Sequence, residues 1–162
     1  MVAISLIAGL TSFGQAKQVV NKTTVKTIDK PAPKKLQREM VFKVMDGMDQ
    51  WVNFPVKVHG IPELDSLFGK KSYDLVEWSV MTAVLELKHQ MKDKYSFKPL
   101  PIKDNSVIYF KSSDGNEYIV VDVAAEAKNG YGNPISKKYI VWLVFDRTNP
   151  DLYKSLTLDR IS

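Results

Sequence analysis

Cysteine is absent from the chain, and a block of chemistry goes with it. No disulfide framework, thiolate zinc site, thiol nucleophile or iron–sulfur cluster can be built without it. Histidine is nearly as scarce, with His59 and His89 alone in 162 residues. Acid is scarce in one region only. Lys17 to Arg38 holds seven basic residues against the single acid Asp29, which more than accounts for the whole chain's net charge of +5. From Glu39 onward the chain is therefore close to neutral. A nucleic-acid-binding domain carries its positive charge on a folded face, so nucleic acid is disfavoured as a partner. Long hydrophobic runs are missing too. Val2 to Leu10, nine residues, falls far short of the roughly 20 that a helix needs to cross a bilayer.

That short run has another reading. Met1 to Ala16 carries no side-chain charge, and its apolar stretch leads to Gly14 and Ala16, small residues at the third and first positions before a cut. This is the pattern of a secretory signal, lacking only the basic residues that usually precede the apolar stretch. A translation start a few residues upstream would supply them. Residues 1–16 are accordingly expected to be a cleaved signal, with the mature protein periplasmic or secreted and without a transmembrane span. Residues 17–35, rich in Lys and Thr and ending in Pro31-Ala32-Pro33, are expected to form a flexible basic leader. Residues 36–162 remain as a single domain, long enough to bury a core without metal or disulfide support.

Within that domain, Leu36, Met40, Val44, Met48 and Trp51 recur at helical spacing and predict an N-terminal helix; a strand over Met40 to Met45 entering a turn at Asp46-Gly47 is the competing assignment. Phe54 to Gly69, punctuated by Pro55, Gly60 and Pro62, reads as a connecting loop with one short turn near Glu63 to Phe68. Ser72 to Lys94 is the strongest helix signal. Ser72 is placed to cap it, Asp74 and Glu77 suit its positive end, and Lys88, Lys92 and Lys94 suit its negative end. Leu75, Val76, Trp78, Met81, Val84, Leu85, Leu87 and Met91 cover more than half its circumference, which predicts burial on two sides.

Three strands then follow. Ser106 to Lys111 passes through Asp114-Gly115 into Glu117 to Ala127, and a glycine-rich turn over Asn129 to Pro134 returns Lys137 to Asp146. A short tail helix is expected at Asn149-Pro150, with Asn as cap and Pro at the first helical position. Helices followed by a meander give an α+β class, one long helix and a second N-terminal helix packed on an antiparallel meander of three or more strands. In architecture alone this arrangement resembles cystatin-type and nuclear-transport-factor-type folds, scaffolds that host unrelated functions.

Catalytic constellations are few. Glu86 and His89 form an E-x-x-H pair, half of a di-iron carboxylate motif whose second half is missing. Asp122 and Glu126 share a strand face, but four strand residues span about 13 Å at about 3.3 Å each. That exceeds the roughly 5 to 9.5 Å over which paired carboxylates hydrolyse glycosides. The chain contains no G-x-S-x-G elbow and no G-x-x-x-x-G-K-[ST] phosphate loop. No cofactor is expected. What remains points to binding. Tyr131 stands between two glycines on a hairpin tip, where loops present contact residues on a rigid scaffold. Trp142 lies on a strand with both faces apolar and predicts an exposed patch beside Ile140 and Val144. The expected function is a non-enzymatic binding or assembly module engaging a protein partner or its own copy. The alternative is a small-ligand carrier or small enzyme with a helix–sheet pocket, having Tyr118, Asp122 or Glu126 at its mouth.

Overall fold

The structure is a computed structural model in which residues 37–149 and 151–162 are described, all within one compact unit, Pro33–Ser162. The signal and basic leader read over residues 1–35 lie outside the described residues. Strands β1 (Gln37–Met45) and β2 (Trp51–His59) form an antiparallel hairpin. Helix α1 (Ile61–Phe68) follows, then a 3-10 turn and the long helix α2 (Ser72–Gln90). The chain returns through β3 (Lys98–Pro99), β4 (Ser106–Lys111), β5 (Glu117–Lys128), β6 (Pro134–Val144) and β7 (Thr157–Ile161). These seven strands make one sheet in the order β1-β2-β4-β5-β6-β7, with β3 paired to the far end of β5. Every pairing is antiparallel except β2 with β4, which run parallel over Lys57–His59 and Ser106–Ile108.

The fold is α+β, but the expected N-terminal helix is absent: from Gln37 to Trp51 the chain forms β1, a turn and the start of β2. The error has a geometric origin. A spacing of four puts Met40 and Val44 on one face of a helix, and equally on one face of a strand. The deciding pattern is period two, in which Phe42 and Val44 of β1 and Phe54, Val56 and Val58 of β2 are buried while their neighbours are not. Asp46 closes the hairpin by accepting the amides of Met48 (2.8 Å) and Gln50 (2.9 Å) on its Oδ1. Gly47 is required there, because a Cβ would lie 2.4 Å from the backbone oxygen of Tyr95. The residues expected to form a loop from Phe54 become β2 and α1.

Helix α2 occupies the predicted place, ending at Gln90. Ser72 does not cap it; its hydroxyl donates instead to Asp65 Oδ1 at 2.5 Å. Its buried stripe is Leu75, Val76, Ser79, Val80, Ala83, Val84 and Leu87, and it packs against the sheet. Trp78 and Leu85, on the other side, are 40% and 43% exposed. The two-sided burial predicted for α2 is thus one-sided, since no second helix lies beyond it among the described residues. In place of a tail helix, Leu152–Ser155 forms a 3-10 turn, and Asn149 Oδ1 accepts the amide of Asp151 at 2.9 Å.

One buried polar side chain ties the sheet together where β4 begins. Asn105 is fully buried, and its amide nitrogen donates to Leu100 O (2.9 Å) and Pro55 O (3.3 Å). Its side-chain oxygen accepts the amide of Ala124 at 2.9 Å. One residue thereby satisfies backbone groups of three separate segments. None of the described helices is long and apolar enough to cross a membrane.

Candidate functional site

Because α1 and α2 lie on one side of the sheet, the strands' other face has no described helix over it. Direct register carries one row across five strands on that face: His59, Ile108, Val120, Trp142 and Arg160. The next row brings Phe110 opposite Tyr118, and Tyr118 opposite Val144. Phe110, Tyr118 and Trp142 form an aromatic cluster, with Trp142 edge-on to both at centroid distances of 6.1 and 5.7 Å. The Arg160 guanidinium caps the Trp142 ring at 4.2 Å. Ile108, Phe110 and Ile140 remain exposed around the cluster. The edge of this face nearest the β1–β2 turn adds exposed Val41, Met45 and Trp51.

Charges of both signs surround the cluster. Asp122 sits directly between Ser106 and Ile140 in the ladder. Its carboxylate accepts the Ser106 hydroxyl (3.0 Å) and pairs with Lys138 (3.3 Å). Glu126 accepts the Ser136 hydroxyl at 3.2 Å. Each carboxylate therefore has its own partners, and both belong to the polar rim of the open face. Of the sequence candidates, Tyr118, Asp122, Glu126 and Trp142 thus share one surface. None of them reaches a pocket between helix and sheet, because β5 and β6 turn them the other way.

Tyr131 stands apart from that group. Asn129 shapes the β5–β6 turn by accepting the amides of Tyr131 (2.9 Å) and Asn133 (3.0 Å) on its Oδ1, and Gly132 takes a φ of +83°. The turn projects Tyr131 to 92% exposure on the helix side of the sheet. There it borders a cavity of about 730 Å³ between the C-terminal end of α2 and the β5–β6 hairpin. Leu87, Met91, Ile135, Tyr139 and Ile161 line the cavity together with Lys92, Lys128 and Lys137.

A third cluster locks the end of α1 to the β4–β5 hairpin. Arg147 grips both carboxylate oxygens of Glu117 (2.8 and 2.5 Å) and stacks over Phe68, while the Tyr109 hydroxyl donates to Glu117 Oε1 (2.9 Å). Burial, then the hydrogen bond and charge of Glu117, hold the Tyr109 phenol above its ordinary value. Every group here has a partner, so the cluster works as a clamp. Among the described residues no group of three or more His, Asp or Glu side chains is placed to hold a metal ion.

Sequence reasoning missed Ile108, Phe110 and Arg160 as members of the open face. The first two alternate within Ser106 to Lys111 and could have been assigned once β5 was oriented. Arg160 depends on β7, whose pairing leaves little trace in the sequence. The cavity lysines come from three separate elements and carry no local pattern. No family model matches the chain, and comparison with curated proteins and with solved structures found no match.

Proposed function

We propose that this chain is an exported, non-enzymatic binding module whose open sheet face docks a second copy of itself. One observation carries the reading: the helices cover a single face, leaving Ile108, Phe110, Tyr118, Ile140 and Trp142 as a contiguous apolar and aromatic surface. Surfaces of this kind on otherwise soluble domains mark association sites, and aromatic residues flanked by Arg are enriched among those that dominate binding. The surrounding Lys57, Lys138, Asp122 and Glu126 supply both signs on one face. A two-fold interface presents the same patch twice, so a surface holding both signs can be its own complement. Export rests on the apolar run Val2 to Leu10 and the small residues Gly14 and Ala16.

Light scattering on the purified mature protein is expected to show a dimer, and the double change Phe110→Ser with Ile140→Ser a monomer with unchanged circular dichroism. A monomer at all concentrations would rule out self-docking. Retention of a different protein from the cell envelope, lost in the same double variant, would transfer the face to that partner instead. Export is checked separately by sequencing the N-terminus of the mature product; an uncut Met1 in the cytosol refutes it.

A further inference from the structure

The cavity beside Tyr131 lies on the helix side of the sheet, away from the open face, and its lining is chemically lopsided. Leu87, Met91 and Tyr139 give it an apolar floor, whereas Lys92, Lys128 and Lys137 bring three ammonium groups, and among the described residues no carboxylate lines it. Some basic side chains on this domain do pair with acids: Lys88 with Asp49, Lys138 with Asp122 and Arg147 with Glu117. Among the described residues none of the three cavity lysines has such a partner. Lys92 Nζ lies 4.0 Å from where a Cβ on Gly130 would stand, so it reaches from beyond α2 to the hairpin tip. Three like charges around one opening repel one another, and a single anion at the centre converts that repulsion into attraction.

We propose that this cavity binds an anionic amphiphile, a long-chain carboxylate whose head group meets Lys92, Lys128 and Lys137 and whose tail lies over Leu87, Met91 and Tyr139. The volume, about 730 Å³, falls in the range of roughly 300 to 1,000 Å³ typical of small-molecule sites. An apolar floor with few polar groups at the mouth fixes the ligand's polarity end to end. A small inorganic anion would satisfy the lysines and leave the floor wet; a neutral alkyl chain would do the reverse. Only a molecule with both parts uses both surfaces. Tyr131, at the lip, is placed to close over the tail where it enters.

The probes are dodecanoate, dodecanol and inorganic phosphate, titrated calorimetrically into the full chain. Dodecanoate is expected to bind with one-to-one stoichiometry, and each of the other two at least about tenfold more weakly. Lys92→Met with Lys137→Met is expected to weaken dodecanoate by about tenfold or more while leaving dodecanol unchanged, the fold being checked by circular dichroism. Should that pair unfold the protein, Tyr131→Ser, at an exposed turn, is expected to weaken dodecanoate and dodecanol alike, and unchanged dodecanoate binding in that variant would overturn the proposal. Phosphate binding as well as dodecanoate would show a simple anion patch and overturn the proposal. Equal binding of dodecanol, or no effect of the lysine changes, would overturn it as well. The oligomeric state tests the opposite face of the sheet, so the two readings stand or fall separately.

Discussion

Asp49 is the one non-glycine described residue with a positive φ, 59°, and it occupies the β1–β2 turn. Lys88, nearly buried near the end of α2, donates to Asp49 Oδ1 at 2.6 Å and to the Asp46 carbonyl at 2.9 Å. That hydrogen bond first, and the Lys88 charge second, hold the Asp49 carboxyl below its ordinary value. A folded-state value below the unfolded one gives stability that is present above the unfolded value, near about 3.9, and lost as pH falls through the folded value. Asp49→Asn preserves tolerance of the left-handed backbone while removing the charge. The wild type is therefore expected to have the higher urea midpoint near neutral pH, with the gap closing below about pH 4. A gap independent of pH would show that the ion pair contributes nothing. Nothing in the local sequence marks Lys88 and Asp49 as partners, since they lie on different elements and meet only once the hairpin packs against the helix.

At the scale of elements, legibility followed the strength of local periodicity. Helix α2 and the hairpins through Gly115 and Asn129–Asn133 stood out because turn residues and period agree there. In the first hairpin Met40 and Val44 fit both periods, and the pairing of β1 with β2 and of β2 with the parallel β4 settles the choice. Strand β7 left no alternating signal because a bulge interrupts its register: Leu158 faces Leu143 and Ile161 faces Val141, a spacing of three. The breadth of apolar residues on α2 exceeds what is buried, since Leu85 is exposed and only one stripe meets the sheet. One-sided burial makes a direct prediction. Leu87→Ala, at 1% exposure, is expected to cost about 2–5 kcal/mol, and Leu85→Ala no more than about 0.5 kcal/mol beyond its helix propensity. Comparable losses in chemical denaturation would mean that the outer side of α2 is covered after all.

At the scale of the described domain, the seven-stranded sheet carries its helices on one side and has no described helix over the other. Of the candidate site, Tyr118, Asp122, Glu126 and Trp142 can be placed on strands from the sequence and are half-buried in the structure, and Tyr131 sits exposed on a turn. That the first four share one surface and Tyr131 lies on the other required the register of β4, β5 and β6. The cavity lysines needed the full tertiary arrangement. If the open face docks a second copy, folding and association are linked by mass action. The melting temperature is then expected to rise with protein concentration, and to lose that dependence in the Phe110→Ser, Ile140→Ser variant. A concentration-independent melting temperature in the wild type would detach the face from stability.

The guanidinium stacked on Trp142 has an optical consequence. An indole under a cation, on the open face of the sheet, reports on its own surroundings. With Trp51 and Trp78 replaced by Phe, the remaining tryptophan emission comes from that ring alone. Any surface that displaces Arg160 or excludes water from the ring changes its wavelength or intensity, so the contact carries its own fluorescent gauge of occupancy.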